Sequence, residues 1–110
     1  MSREPLGNFE LMVLLALMRL GDDAYGVPIA DLLEETLGRD IAAASVYAAL
    51  ERLTAKGLVT SRLGDSTAER GGRAKRFFEI THAGLQEVRS TKTALTTLWR
   101  GLPHLQGQRA

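Results

Sequence analysis

The sequence predicts a mainly α-helical chain with a small β-hairpin, laid out as three short helices, the hairpin and a long last helix. Three observations predict it. One stretch apolar nearly all round and three with apolar residues at steps of three and four are each followed by a glycine stop, at Gly21, Gly38, Gly57 and Gly101. Between the third and fourth stretches, Leu58–Leu63 and Arg73–Ile80 read as strands around a glycine-rich turn. The fourth stretch carries a heptad seam with nothing left in the chain to cover it.

The first helix is expected from an Asn8 N-cap through Phe9–Leu20. It is apolar nearly all round, because Leu11, Met12, Val13, Leu14, Leu15, Leu17 and Met18 cannot share one stripe, so it is buried on more than one side. In a chain of 110 residues one of those sides is expected to meet a second copy, through Leu11, Leu14, Leu15 and Met18. The second helix is expected over Tyr25–Leu37. Pro28 lies in its first turn, where a missing N–H does little harm. Ile29, Leu32, Leu33 and Leu37 line one face, and Asp31, Glu34 and Glu35 stay outside.

Ile41 and Ala42 form a short extended bridge to the third helix, expected over Ala43–Lys56. Its inner face is Val46, Ala49, Leu50 and Leu53, and Ala44, Ala48 and Ala55 lie opposite. Thr81 is a natural N-cap for the last helix, expected to run to Arg100 before Gly101 and Pro103 end it. Leu85, Val88, Lys92, Leu95, Trp99 and Leu102 fall on its a and d positions, with Lys92 the single polar interruption. The expected organisation is a body over residues 1–80, a dimerisation helix over 81–102 and a tail over 103–110.

Composition excludes several functions. The absence of cysteine removes a disulfide framework, a thiolate metal site and a cysteine nucleophile, and His82 and His104 are too far apart to suggest a metal site. The opening Met1-Ser2-Arg3-Glu4-Pro5 lacks a signal-peptide pattern, and the apolar run Leu11–Met18 is far short of the ~20 residues that span a bilayer, so a cytoplasmic protein is expected. Asp22-Asp23 and Glu34-Glu35 read as charges near a helix start and on a solvated face rather than as an acid/base pair. No nucleophile has a base near it, and neither an enzyme nor a cofactor is expected. Net charge is only +1, but from Arg62 to Arg76 five cations (Arg62, Arg70, Arg73, Lys75, Arg76) face two acids, Asp65 and Glu69. A local basic patch on a near-neutral body fits a polyanion contacted at one place.

Three helices followed by a hairpin with a basic tip is the order of a winged helix-turn-helix, whose third helix enters the DNA major groove while the hairpin wing meets the neighbouring backbone. The chemistry matches. Ala44 and Ala48 remove bulk from the face that must approach the duplex, Ser45 and Tyr47 offer hydroxyls, and Arg52 adds a cation. Tyr25, at the start of the second helix, can donate to phosphate or serve as a core aromatic. Arg70, Arg73, Lys75 and Arg76 on the wing face phosphates. Glu51 counts against this face unless it pairs with Arg52 or lies beyond the groove.

At these residues the sequence resembles the PadR family of bacterial regulators, in its short-tailed subfamily. Ala44-Ser45-Val46-Tyr47-Ala48-Ala49-Leu50-Glu51-Arg52-Leu53, with Lys56-Gly57-Leu58-Val59, is similar to the family's recognition-helix segment. Gly72-Arg73-Ala74-Lys75-Arg76-Phe77-Phe78-Glu79-Ile80-Thr81-His82-Ala83-Gly84 is similar to its wing-to-helix stretch, and the Leu11–Leu17 run before Tyr25-Gly26 to its start. The likeness covers about residues 6–100. It departs at Ala44 and Ala48, where the family often has Gly and Pro, and at Phe77 and Phe78, where Tyr is usual. The resemblance implies a repressor of its own and neighbouring genes that binds a palindromic operator as a homodimer. It also implies a final helix that crosses onto the partner and, in some members, relief by a small aromatic effector at the dimer interface.

Trp99, the single tryptophan, sits on the seam one heptad beyond Lys92 and would be the platform for such an effector, although a lone Trp on an apolar seam is more often interface packing than a ligand platform. Three other readings stay open: a MarR-like winged helix, which usually has a longer helical arm than the few residues before Asn8; a small-molecule-binding dimer without DNA binding; and a winged helix that binds only proteins.

Overall fold

A computed structural model describes residues 6–64 and 75–102. The elements run α1 (Asn8–Leu20), a 3-10 turn (Gly21–Asp23), α2 (Gly26–Leu37), α3 (Ala43–Ala55), β1 (Val59–Leu63), β2 (Arg76–Ile80) and α4 (His82–Trp99). The order of elements is the expected one.

The ends of these elements follow from local chemistry. Gly7, not Asn8, caps α1. Its backbone is extended, and the Glu10 side chain reaches back to accept from the Gly7 N–H at 3.2 Å, which makes Asn8 the first helical residue. Tyr25 is the N-cap of α2, and Gly38 closes that helix in the left-handed conformation with φ 72°. Ile41, in the extended bridge before α3, donates its N–H to Glu34 Oε2 at 2.9 Å, so Glu34 is half-buried rather than solvated.

β1 and β2 pair antiparallel from Val59↔Ile80 to Leu63↔Arg76, and the Gly64 N–H donates to the Lys75 carbonyl at 2.7 Å. Val59 and Phe78 are buried, whereas Leu63, on the same side of β1 by its register, is 65% exposed. By that point the hairpin has left the helices behind. The Phe78 N–H donates to the Ala24 carbonyl at 2.8 Å, which stitches β2 to the segment before α2.

The core gathers Val13, Leu14 and Leu17 of α1, Ile29 and Leu33 of α2, Val46, Leu50 and Leu53 of α3, and Leu58, Val59, Phe78 and Val88. Two of these were expected at a dimer interface. Leu14 is fully buried within its own subunit and cannot reach a partner, and Val88 is spent on the same core. The buried apolar part of α1 is therefore Val13, Leu14, Ala16 and Leu17, while Leu15 and Met18 are exposed and Leu11 is half-buried.

Thr81 caps α4 as expected. Its Oγ1 accepts from the Gly84 N–H at 3.0 Å and donates to the Gly57 carbonyl at 2.8 Å. A Cβ on Gly84 would collide with the Leu58 carbonyl oxygen, so the start of α4 lies directly on the backbone that follows α3. Beyond this anchor α4 leaves the body, and every residue from Lys92 to Leu102 is exposed. The radius of gyration, 16.2 Å, exceeds the ~13 Å of a compact chain near this length. Leu102 lies past the last helical residue, with its N–H on the Trp99 carbonyl at 3.2 Å.

Candidate nucleic-acid interface

α3 divides as its helical periodicity dictates. Val46, Ala49, Leu50 and Leu53 are buried, and Ala44, Ser45, Tyr47, Ala48, Glu51 and Arg52 are exposed. No side chain caps the helix, whose N-cap is Ala42, so the Ser45 hydroxyl is not needed there. With alanine at both positions where a kinked entry would need Gly or Pro, the helix is continuous over Ala43–Ala55.

The first turns of α3, the start of α2 and the base of the wing meet at Tyr25-Gly26. Gly26 is buried, and the Tyr47 ring occupies the space a Cβ on Gly26 would need. Tyr47 is 40% exposed, so one side of its ring packs on α2 and the other faces out. Next to it, Tyr25 accepts a 2.6 Å hydrogen bond from Lys75 Nζ, which also sits 4.0 Å from the Tyr25 ring centroid. Tyr25 meets Phe77 edge-on at 5.4 Å, and the Arg62 guanidinium lies 4.8 Å from the Phe77 centroid. Two cations, Arg62 and Lys75, flank the aromatic pair Phe77 and Tyr25, an arrangement that fixes the wing base against α2. Tyr25 thus serves as a half-buried support for the wing, with its hydroxyl taken up by Lys75.

The structure brings Tyr25, Tyr47 and Lys75 together, with Ala44, Ser45 and Ala48 exposed on the helix that carries Tyr47 and Arg76 exposed beside Lys75. Arg70 and Arg73 lie outside the described residues. Arg52 is exposed but bound from within: its Nε donates to Glu10 Oε2 at 2.9 Å, so it pairs with α1 and not with Glu51. Lys56 Nζ donates to the other oxygen, Glu10 Oε1, at 2.8 Å.

Glu10 is the single buried charged residue among the described ones. Burial pushes its carboxyl up, and the hydrogen bonds from Lys56, Arg52 and the Gly7 N–H outweigh that and hold it below the usual glutamate range. Sequence reasoning missed this residue. The available signal was an acid inside an otherwise apolar helix, three positions after a capping glycine. It also missed Leu98, which is 72% exposed beside the α4 seam.

On the seam itself, Leu85 is half-buried, Lys92 is exposed, and Leu95, Trp99 and Leu102 are 39%, 48% and 43% exposed. An open groove of about 560 Å³ runs between α1 and α2, lined by Met12, Leu15, Met18, Leu32, Leu33 and Thr36 among others. Among the described residues no three potential metal ligands come together, and no helix is long and apolar enough to cross a membrane.

Comparison with known proteins gives the arrangement a family. The chain is similar to three regulators of known structure: a PadR family transcriptional regulator from Eggerthella lenta (24% identity, 89% of this chain and 83% of that one, TM-score 0.67); a PadR-like transcriptional regulator from Bacillus cereus (19% identity, 92% and 93%, TM-score 0.72); and a PadR family transcription regulator from Clostridium difficile (21% identity, 92% and 100%, TM-score 0.71). At these identities the likeness establishes the winged-helix fold. No curated protein matches the sequence. The family model of PadR-like transcriptional regulators matches residues 14–90, from within α1 to the middle of α4 and across the whole α3–wing surface. The chain therefore belongs to the PadR-like family of transcriptional regulators.

Proposed function

We propose that this protein is a cytoplasmic, sequence-specific repressor that acts by binding and not by catalysis, and that grips a palindromic operator as a homodimer. The observation that carries the proposal is the convergence at Tyr25-Gly26, where the exposed face of α3, the start of α2 and the cationic base of the wing form one continuous surface. Ser45 and Tyr47 present hydroxyls to base edges or phosphates, and Ala44 and Ala48 allow close approach. Lys75 and Arg76, with Arg70 and Arg73 further along the wing, neutralise phosphates. Arg52 contributes charge near the duplex only with the part of its guanidinium that Glu10 leaves free.

In this reading residues 1–80 bind DNA, 81–102 dimerise and 103–110 form a tail. The interface uses Leu11, Leu15 and Met18 of α1 with Leu85, Lys92, Leu95, Leu98, Trp99 and Leu102. What supports it is exposed apolar surface on α1 and on α4, two elements of one small chain. Trp99, half-exposed on that seam, is where a planar aromatic effector would stack, and it would relieve repression by favouring one angle between the subunits.

The test is selection of bound duplexes from a random pool, followed by light scattering of the free and bound protein. A selected sequence with two-fold symmetry, bound by two chains, is the expected result. A protein that enriches no duplex would overturn the proposal, and quenching of Trp99 by aromatic compounds in the same protein would then indicate a ligand-binding dimer.

A further inference from the structure

The two ends of α3 are held by different chemistry. At the N-terminal end the hydroxyl-bearing edge of the Tyr47 ring rests on Gly26, a close packing contact without an ion pair. At the C-terminal end Glu10 of α1 holds Arg52 from the last turn and Lys56 from the C-cap, with one carboxylate oxygen assigned to each cation. The carboxylate is almost fully buried, its side chain 7% exposed, while those of Arg52 and Lys56 are 54% and 37% exposed. Apolar packing of Leu50 and Leu53 against α1 resists separation of the helices but has little directionality. Charge-assisted hydrogen bonds to both oxygens of one buried carboxylate add direction. The same Oε1 also accepts from the Gly7 N–H at 3.2 Å, which ties the carboxylate to the start of its own helix.

Position along α1 gives the clamp its consequence. Glu10 directly precedes Leu11, and Leu11, Leu15 and Met18 form the stripe of α1 that the subunit leaves partly or wholly uncovered. One helix thus carries the surface offered to a second copy and the clamp on the helix offered to DNA. A shift or rotation of α1 at the subunit boundary must be followed by the far end of α3, and the exposed Ser45 and Tyr47 then move at the near end.

We propose that Glu10 is a positioning residue for operator recognition: by clamping Arg52 and Lys56 it fixes α3 to α1, and so sets the distance and angle between the two recognition helices of a dimer. This rests on the DNA-binding reading above. The clamp should contribute little to non-specific affinity, which depends on phosphate charge, and much to discrimination, which depends on two recognition helices meeting two half-sites in register.

The experiment uses the full-length protein, an operator duplex selected by the unmodified protein, the same duplex with its half-sites moved apart by one and two base pairs, and a non-operator duplex of equal length. Glu10→Gln removes the charge and places an amide donor against cationic donors. Lys56→Gln, at an exposed site, weakens the clamp while leaving the buried carboxylate and Arg52 in place. For Glu10→Gln, operator affinity should fall about tenfold or more, on the scale of lost charged hydrogen bonds. Non-operator affinity should not fall, because Arg52 and Lys56 are released from the carboxylate, dimer mass should stay unchanged, and the preference for one half-site spacing should flatten. Lys56→Gln should show the same pattern more weakly. A folded Glu10→Gln dimer that keeps its operator-to-non-operator ratio and its spacing preference would overturn the proposal. If Glu10→Gln fails to fold, Lys56→Gln decides, and unchanged discrimination there overturns it. An unmodified protein that selects no duplex would instead sink the DNA-binding reading itself.

Discussion

The body of the protein and the outer half of its last helix contain similar residues in opposite circumstances. Leu50 and Leu53 are fully enclosed by their own subunit, whereas Leu98 and Trp99 are 72% and 48% exposed on a helix that has left the body. The same distinction runs along α1, where Leu14 is enclosed and Leu15, the next residue, is 46% exposed. Apolar side chains of the first kind stabilise a subunit whatever its concentration. Those of the second kind lower the free energy only when something covers them, so their contribution should depend on protein concentration.

Truncating one leucine of each kind separates the two contributions. Leu50→Ala should cost about 2–5 kcal/mol, as removal of a buried leucine does, and lower the melting temperature equally at low and high protein concentration. Leu98→Ala should leave the melting of dilute protein nearly unchanged and weaken self-association instead, measured by sedimentation. If Leu98→Ala proved as damaging as Leu50→Ala at every concentration, the outer half of α4 would belong to the subunit core.

A second test probes the junction between the two regions. Gly84→Ala forces a methyl against the Leu58 carbonyl and the Ile80 side chain where α4 leaves the body. The expected cost is about 1–3 kcal/mol of stability in urea denaturation, the range of overpacking, although alanine is the better helix former. A stabilised variant would mean that the two segments are not in contact there.

A third and smaller effect concerns acid. The folded pKa of Glu10 lies below its ordinary value, because hydrogen bonds from Lys56, Arg52 and Gly7 outweigh the upward push of burial. A depressed carboxyl pKa gives stability that is fully present above the unfolded value, roughly 4.3, and lost as pH falls through the folded one. Compared with Glu10→Gln, the native protein should be more stable at neutral pH, with the gap closing below about pH 4. Denaturation midpoints from pH 7 to pH 3 would read this, and a constant gap would refute it.

Periodicity made the body legible. The buried and exposed faces of α3 follow from the spacing of Val46, Ala49, Leu50 and Leu53, and Thr81 marks the start of α4 by its chemistry. Contacts between residues far apart in sequence were not legible. Nothing in the local pattern tells that Leu14 turns inward and Leu15 outward in a helix apolar on all sides, since both choices suit the same helix. Nor does it tell that Arg52 is committed to Glu10, 42 residues away, or that Lys75 closes onto Tyr25. Those pairings depend on how the helices cross, which is a property of packing. The glycines lie between these cases: Gly26 and Gly84 read as ordinary residues near helix starts until the Tyr47 ring and the Leu58 carbonyl are seen against them.

In the proposed function α3 and the wing act on one duplex with divided roles, α3 reading sequence and the wing neutralising phosphate. The most direct measurement of this division is the affinity of the protein for a selected operator and for an unrelated duplex across a range of salt concentrations, repeated with Lys75→Ala and with Ser45→Ala. Binding should weaken steeply with salt. Lys75→Ala should weaken both duplexes alike and reduce the salt slope by about 1, while Ser45→Ala should lower operator affinity alone and keep the slope. Binding insensitive to salt, or a Lys75→Ala protein that changes its sequence preference at an unchanged slope, would contradict the division.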